Sequence, residues 1–219
     1  VAQAVEASNK TRGRKRNFLI YSVCHFSPVG GRGRHRSPRC RYAQAAPPQE
    51  YMDLARSIFA ELIEINTVNS EVGNSTTAAR AMERRLLEAG FPREDVHVLI
   101  PSDAPTKGNL VARYRGNDTG LDPILLLAHI DVVEALPGDW SSDLNPFEFL
   151  EREGFYYGRG VTDDKDEAAI HVANFIRWRQ EGFVPNRDII IALTADEEGG
   201  PLNGVRYLLA EHRDLIDAA

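Results

Sequence analysis

Three short polar segments of this sequence carry side chains that can bind a metal ion or transfer a proton. They are His129-Ile130-Asp131, the Asp163 that follows Gly158-Arg159-Gly160, and the pair Glu197-Glu198. Neutral imidazole nitrogens and carboxylate oxygens are ligands that suit Zn²⁺ or a similar borderline cation. Taken together, the segments indicate the acid, base and ligand set of a hydrolase that uses two metal ions.

The first segment closes the apolar run 124–128, which predicts a buried strand. Because His129 and Asp131 are two positions apart, both side chains point to one face at the carboxyl end of that strand. Ligands of open α/β sheets usually bind at this end. We expect His129 to bind a metal and Asp131 to hydrogen-bond its other ring nitrogen. Taken alone, such a pair more often contains a hydrogen-bonded structural histidine.

The other two segments also have structural interpretations. Asp163 could cap the helix that is expected to follow it, because Asp is a good N-cap residue. Glu197 and Glu198 follow a second apolar strand, where adjacent carboxylates are costly unless a cation compensates their repulsion and desolvation. We therefore expect one of them to bind a metal and the other to take a proton from water, while Gly199 and Gly200 let the backbone turn close to the site.

The segments that must position these residues alternate between helical and extended patterns. Amphipathic spacing predicts a helix over 49–65 and a second one, capped by Ser75 or Thr76, that ends at Gly90. Strands are predicted over 95–100, 109–114, 124–128 and 188–194, with a hairpin over 147–157, helices over 163–180 and 202–213, and a possible further strand at Leu215-Ile216. This order favours a three-layer α/β fold with a mostly parallel central sheet.

Charge divides the 219 residues into a basic leader and an acidic domain. Residues 1–49 contain ten Lys and Arg against one Glu, whereas the remainder contains 16 basic and 31 acidic residues. We expect residues 1–48 to be a disordered leader and 49–219 to be the folded domain. Ala43-Gln44-Ala45 is typical of a secretory cleavage site and hints at a secreted or periplasmic location, although the apolar core that should precede it is missing and a cytoplasmic location stays open.

Other classes of protein receive less support from the composition. Both cysteines, Cys24 and Cys40, lie in the leader without Cys-x-x-Cys spacing, so a thiolate zinc site is not expected. No apolar run approaches the roughly 18–20 residues of a membrane helix, and no membrane partner is expected. The basic leader could bind nucleic acid, but it lacks interleaved aromatic residues and the domain is acidic, so no nucleic acid is expected.

The three polar segments, in this order and spacing, resemble the dinuclear zinc peptidase family of glutamate carboxypeptidase, acetylornithine deacetylase, succinyl-diaminopimelate desuccinylase, aminoacylase and carnosinase-like dipeptidases. The resemblance covers about residues 50–219. It implies two zinc ions, with cobalt or manganese as alternatives. By this resemblance, His129 binds one zinc, Asp163 bridges both, Glu198 binds the second, Glu197 is the general base and Asp131 supports His129. It also implies a cis peptide after Asp163.

The resemblance further implies five metal ligands, of which this sequence offers three. We expect the other two beyond residue 219, since Asp217 lies in the segment that should lead to the fourth ligand. The domain that family members use for substrate closure or dimerisation should also follow. We therefore expect an N-terminal part of a longer enzyme that by itself binds metal weakly and has little activity. A homodimer through the domain absent from this chain is possible.

Three functions are compatible with these features. The first is a metallopeptidase of carboxypeptidase or dipeptidase type that hydrolyses small peptides, and the second is an N-acyl amino acid deacylase with the same metal chemistry. The third is a catalytically inactive module that binds ligands in the acidic pocket. Retention of both Asp131 and Glu197 argues against the third, because a binding protein has no need of a free base.

Overall fold

The computed structural model describes residues 47–118 and 120–217. These residues form five helices, six strands and two short 3₁₀ turns at Arg93–Asp95 and Pro137–Asp139. The helices and strands are α1 (Gln49–Glu64), α2 (Ser75–Glu88), β1 (Val96–Leu99), β2 (Asn109–Tyr114), β3 (Ile124–His129), β4 (Leu150–Arg152), β5 (Phe155–Tyr157), α3 (Lys165–Gln180), β6 (Ile189–Thr194), α4 (Gly204–Glu211) and α5 (Arg213–Ile216). Residues 1–46 of the expected leader, with the cleavage-like sequence and both cysteines, lie outside the described residues.

The first two helices begin and end close to the expected positions. The apolar stripe of α1 is buried, as its spacing predicts. The cap of α2 is Asn74 rather than Ser75 or Thr76, since the Asn74 side chain accepts a hydrogen bond from the Thr77 amide. Gly90 follows this helix with a φ of 87°, a conformation that glycine adopts without strain.

The sheet is mixed, so the expectation of a mostly parallel sheet is wrong in part. Its strand order is β1-β2-β6-β3, and of its three pairings only β3 with β6 is parallel. The segment between β1 and β2 contains no helix, and a short connection of this kind joins antiparallel strands. The helix α3 lies between β3 and β6 in the chain and provides the crossover that a parallel pair needs.

Helices cover both faces of this sheet and give the three expected layers. On one face, α1, α2 and α3 bury alternate residues of β2 and β6, including Leu110, Ala112 and Ile191. On the other face, α4 and α5 pack on Val111, Ile190 and Ala192. The α/β layered fold is therefore confirmed.

Strand β3 differs from the buried strand that its composition predicts. It is the edge strand of the described sheet, and Ile124 and Leu127 are 40% and 46% exposed. Its carboxyl end is nevertheless enclosed, because Ala128, His129 and Ile130 are all buried. A run of apolar residues indicates a strand but does not reveal how many neighbours the strand has in the sheet.

Two smaller predictions have opposite outcomes. The hairpin is confirmed as β4 and β5, which pair antiparallel around Glu153 and Gly154. The expected strand at Leu215-Ile216 is wrong, because both residues belong to the short helix α5. Among the described residues, no helix has the length and apolar character that crossing a membrane requires.

Candidate metal centre

The parallel pairing of β3 with β6 brings the three polar segments together. His129 lies opposite Thr194 at the last pair of the ladder, and the Ile130 amide donates to the Thr194 carbonyl over 2.8 Å. The residues after both strands therefore emerge at the same edge of the sheet. Asp163 reaches this edge from the turn that precedes α3, the crossover helix between the two strands.

Three of the candidate ligands form a compact cluster at this edge. One ligand atom from each of His129, Asp163 and Glu198 lies within 4.8 Å of the other two. A fourth side chain, the acidic Glu197, places its Oε2 atom 3.7 Å from Nε2 of His129. His129 is buried, whereas the side chains of Asp163 and Glu197 are 68% and 53% exposed, so the cluster opens to solvent on its acidic side.

The two ring nitrogens of His129 face different partners. Nδ1 lies 3.1 Å from the backbone carbonyl oxygen of Asp131, to which it donates, and 3.5 Å from the Oδ1 atom of the same residue. Nε2 lies 2.9 Å from Oδ1 of Asp163. The expected partnership between Asp131 and His129 therefore uses mainly the backbone of Asp131. Since Nδ1 donates, Nε2 is the atom with which a neutral ring would bind a cation.

The carboxylate of Asp131 has a role that sequence reasoning missed. Its two oxygens accept hydrogen bonds from the backbone amides of Glu197 and Glu198, each over 3.1 Å. The side chain is 1% exposed, so these bonds are shielded from water. One buried carboxylate thus joins the end of β3 to the turn that carries both glutamates.

The turn before α3 is attached to the same edge by neighbouring side chains. The N-cap position of α3 is Asp164, whose side chain makes no capping bond, and Asp163 stands one residue before it, so Asp163 is not the expected cap. Asp164, joined to Asp163 by the expected cis peptide bond, accepts a hydrogen bond from the His129 amide over 3.1 Å. The buried Nζ of Lys165 donates to the carbonyl oxygens of Leu62 and Ile65, at 2.8 and 2.9 Å, and thereby ties this turn to the end of α1.

Three groups in and beside the cluster have raised pKa values, and the cause differs between the histidine and the carboxylates. Burial alone would lower the pKa of His129, but its contacts with Asp131 and Asp163 outweigh burial and raise the pKa to about 9. Burial, together with the negative charge of Asp163, raises the pKa of Glu198. Burial also raises the pKa of Asp164 to about 6. Both His129 and Glu198 therefore retain protons more strongly than usual.

The negative charge around His129 and the types of ligand suit a divalent cation. Carboxylates crowded around Nε2 of His129 stabilise positive charge there, and a metal ion would satisfy the same charges as a proton does. One imidazole nitrogen and two carboxylates form a donor set that Zn²⁺, Co²⁺ or Mn²⁺ accepts. The residues present therefore fit the metal that the resemblance implies.

Other candidate ligands do not join the cluster. Of the histidines in the described ranges, His97 lies on β1, His171 lies in α3, and the His212 ring contacts the Tyr207 hydroxyl. Asp217 lines a separate cavity of about 250 Å³ between β3 and the helices α4 and α5. The remaining two histidines, His25 and His35, lie outside the described residues.

Comparisons with known proteins agree with this geometry. The sequence profile described as Peptidase family M20/M25/M40 matches residues 125–219, a range that contains every candidate site residue. The chain is 32% identical to the mouse (Mus musculus) N-fatty-acyl-amino acid synthase/hydrolase PM20D1 over 84% of the chain and 37% of that protein. It is 33% identical to succinyl-diaminopimelate desuccinylase of Parvibaculum lavamentivorans over 78% of the chain and 41% of that protein.

A solved structure has the same fold. The di-peptidase Dug1p of Saccharomyces cerevisiae superposes with a TM-score of 0.57 at 24% identity, covering 75% of this chain and 37% of that one. The chain thus spans about two fifths of the length of each of these relatives.

Proposed function

The chain belongs to peptidase family M20/M25/M40, and from this we propose that its protein is a metal-dependent hydrolase that cleaves an amide bond in a peptide or an N-acyl amino acid. The observation that carries the proposal is the cluster of His129, Asp163 and Glu198 beside the exposed carboxylate of Glu197. Ligands and a potential base occur together at the carboxyl ends of two parallel strands, where α/β proteins bind their substrates.

The proposed site holds two zinc ions, for which cobalt or manganese could substitute. By the family resemblance, His129 would bind one ion, Glu198 the other and Asp163 both. The clustering of their ligand atoms within 4.8 Å of one another supports this assignment. Ions bound there would supply polarisation of the substrate carbonyl and would make water more acidic. Asp131 holds the backbone of the two glutamates, so their carboxylates stay at the mouth of the site.

Glu197 is the proposed general base. Its carboxylate is half exposed and lies 3.7 Å from Nε2 of His129. It can therefore accept a proton from a water molecule at the site. The protonated Glu197 then donates this proton to the departing amide nitrogen. Two adjacent glutamates thereby divide ligand and base functions between them, which is possible because neighbouring side chains point in different directions.

The relatives' names favour one of the two substrate classes. The mouse relative is named for N-fatty-acyl amino acids and the bacterial one for a succinyl group on diaminopimelate, and both substrates are N-acyl amino acids. The dipeptidase resembles this chain only in fold. We therefore place N-acyl amino acids ahead of dipeptides as the substrate class.

The test separates the ligand from the base in the full-length protein loaded with zinc. Glu197→Gln should lower kcat on N-acyl amino acids by about 10²- to 10⁴-fold while zinc content stays at the wild-type value. Glu198→Gln should weaken zinc binding by at least about tenfold, because it removes a ligand. Glu88→Gln, at the exposed end of α2, is the matched control and should change neither quantity.

Two results would contradict the proposal. Equal losses of zinc and turnover in Glu197→Gln would refute the division of roles between the glutamates. Wild-type protein that binds zinc but hydrolyses neither N-acyl amino acids nor dipeptides would instead support a binding module.

A further inference from the structure

A buried ion pair outside the three polar segments holds the turn that carries both glutamates. The Nζ atom of Lys107 lies 2.6 Å from Oδ1 of Asp196 and 2.7 Å from Oδ1 of Asn69. The side chains of Lys107 and Asp196 are 11% and 0% exposed. Lys107 lies two residues before β2, whereas Asp196 directly precedes Glu197, so the pair links two segments that are 89 residues apart in the chain.

The carboxylate of Asp196 has little freedom to move. Its other oxygen accepts a hydrogen bond from the Leu202 amide over 2.9 Å. The backbone of Gly200 packs so closely that a Cβ atom there would lie 1.8 Å from this carboxylate. Asp196 also has a φ of 63°, which is uncommon for a residue other than glycine, so the surrounding contacts must hold it there.

The turn after β6 is therefore held by contacts from residues in or next to both neighbouring strands. On the β2 side, Lys107 holds Asp196, and Oδ1 of the buried Asn109 accepts from the Ala195 amide over 2.9 Å. On the β3 side, Asp131 accepts from the amides of Glu197 and Glu198. These contacts hold four consecutive residues, three through their backbone amides and Asp196 through its side chain. The last two of the four are the proposed base and a proposed ligand.

Stability alone is a weak reason for such a pair. Burying a lysine and an aspartate costs solvation that their attraction only partly returns, and apolar residues of the same volume often stabilise a protein as well. A buried pair does fix one arrangement of the segments it joins, since an unpaired charge in any other arrangement would be costly. Metal sites need such a fixed arrangement, because small displacements of the groups behind the ligands weaken metal binding.

We propose that Lys107 is a positioning residue for the metal centre, which acts through Asp196 to fix the turn that carries Glu197 and Glu198. This inference rests on the proposed function, because it assumes that these glutamates serve as base and ligand. It predicts that removing the Lys107 charge weakens metal binding and turnover although Lys107 touches neither metal nor substrate.

The test compares Lys107→Met with Arg113→Met. Arg113 pairs with Asp188 over 2.8 Å, and these side chains are 21% and 13% exposed, so this ion pair is also largely shielded from water. Asp188 precedes β6 and so lies at the strand end opposite the glutamates. Lys107→Met should weaken zinc binding by about 10- to 100-fold and speed amide hydrogen exchange at Glu197 and Glu198. Lys107→Arg should recover part of both losses. In the full-length protein, kcat should fall more than KM rises.

The possible results distinguish the positioning role of Lys107 from the proposed function of the site. If Lys107→Met binds zinc within about twofold of wild type while Glu198→Gln loses zinc, the positioning role is refuted and the proposed function stands. If Arg113→Met weakens zinc binding as much as Lys107→Met does, the effect is one of general stability and the positioning role is also refuted. If the wild type binds no zinc, both inferences fail. Should Lys107→Met not fold, Lys107→Gln is read by the same criteria.

Discussion

At the scale of single residues, Asp131 connects the parts of the site more directly than any candidate ligand does. Its carbonyl oxygen orients His129, and its carboxylate binds the amides of Glu197 and Glu198. Burial alone would raise the pKa of Asp131, but its contacts with His129 and with these amides lower it, so the side chain stays ionised. A charged acceptor is needed there, since two amides point at one side chain.

Replacing Asp131 by Asn should therefore disturb the glutamates more than the histidine. The Asn amide group cannot accept from both backbone amides, and a buried amide left unpaired costs about 1–3 kcal/mol of unfolding free energy. We expect faster hydrogen exchange at Glu197 and Glu198, measured by NMR, while His129 keeps its proton on Nδ1. A change of the His129 tautomer with unaltered exchange at the glutamates would show that Asp131 serves the histidine instead.

Metal binding should depend on pH through His129. The ring must be neutral to bind a metal, and its pKa is about 9 in the metal-free chain because its carboxylate neighbours outweigh burial. Below this pKa, binding displaces a proton, so zinc affinity should rise about tenfold for each pH unit between pH 6.5 and 8. Calorimetric titration in buffers of different ionisation enthalpy would count the released proton. An affinity independent of pH in this range would contradict the protonated state of His129.

At the scale of elements, the site depends on one parallel strand pair and the helix that joins it. The carboxyl ends of β3 and β6 supply His129, Asp131 and both glutamates, and the turn before α3 supplies Asp163. The antiparallel strands β1 and β2 provide no ligand. They contribute through the segment between them, which carries Lys107. The site residues therefore lie at the carboxyl ends of β3 and β6, and the rest of the sheet keeps them in position.

Substitutions at the start of α2 test where this helix begins, since the sequence predicted Ser75 or Thr76 as the cap and the structure has Asn74. Asn74 accepts from the Thr77 amide, so Asn74→Ala should lower the free energy of unfolding by about 0.5–2 kcal/mol. Ser75→Ala is the matched control and should have a smaller effect, because α2 is capped by its neighbour. Urea denaturation of both variants measures the difference. A larger loss of unfolding free energy in Ser75→Ala than in Asn74→Ala would show that Ser75 is the cap.

At the scale of the whole molecule, helices on both faces of the sheet bury its centre while the site stays open at one edge. The described residues supply three clustered ligands, and two of the acidic side chains at this edge are more than half exposed. Side chains so exposed keep rotational freedom, which binding a cation would have to restrict. Three ligands also leave much of the charge of two divalent ions uncompensated.

Zinc titration of the 219-residue chain should therefore reveal weak binding instead of two tight sites. We expect one ion at most to bind with measurable affinity, and little hydrolysis of N-acyl amino acids by this chain alone. Isothermal calorimetry with His129→Ala as the control gives the number of bound ions, since this variant should abolish the remaining affinity. Two tightly bound zinc ions per chain would show that other residues complete the site.

Local patterns predicted much of this architecture because their causes are local. The apolar runs before His129 and Glu197 became β3 and β6, and the amphipathic spacing of 49–65 became α1, since side-chain periodicity depends only on neighbouring residues. The boundary at Asn74 and the helix at Leu215 were missed, because several nearby residues could cap or extend there.

The sequence by itself determined which residue types could bind a metal and that each follows a strand or a turn. Only the tertiary structure decided the mixed direction of the sheet, the exposure of β3, and the partners of each polar atom. Asp131 meets the glutamate amides across 66 and 67 residues, and Lys107 meets Asp196 across 89. Such pairs arise from the order of strands in the sheet, which no local spacing of residues specifies, and they hold the chemistry in place.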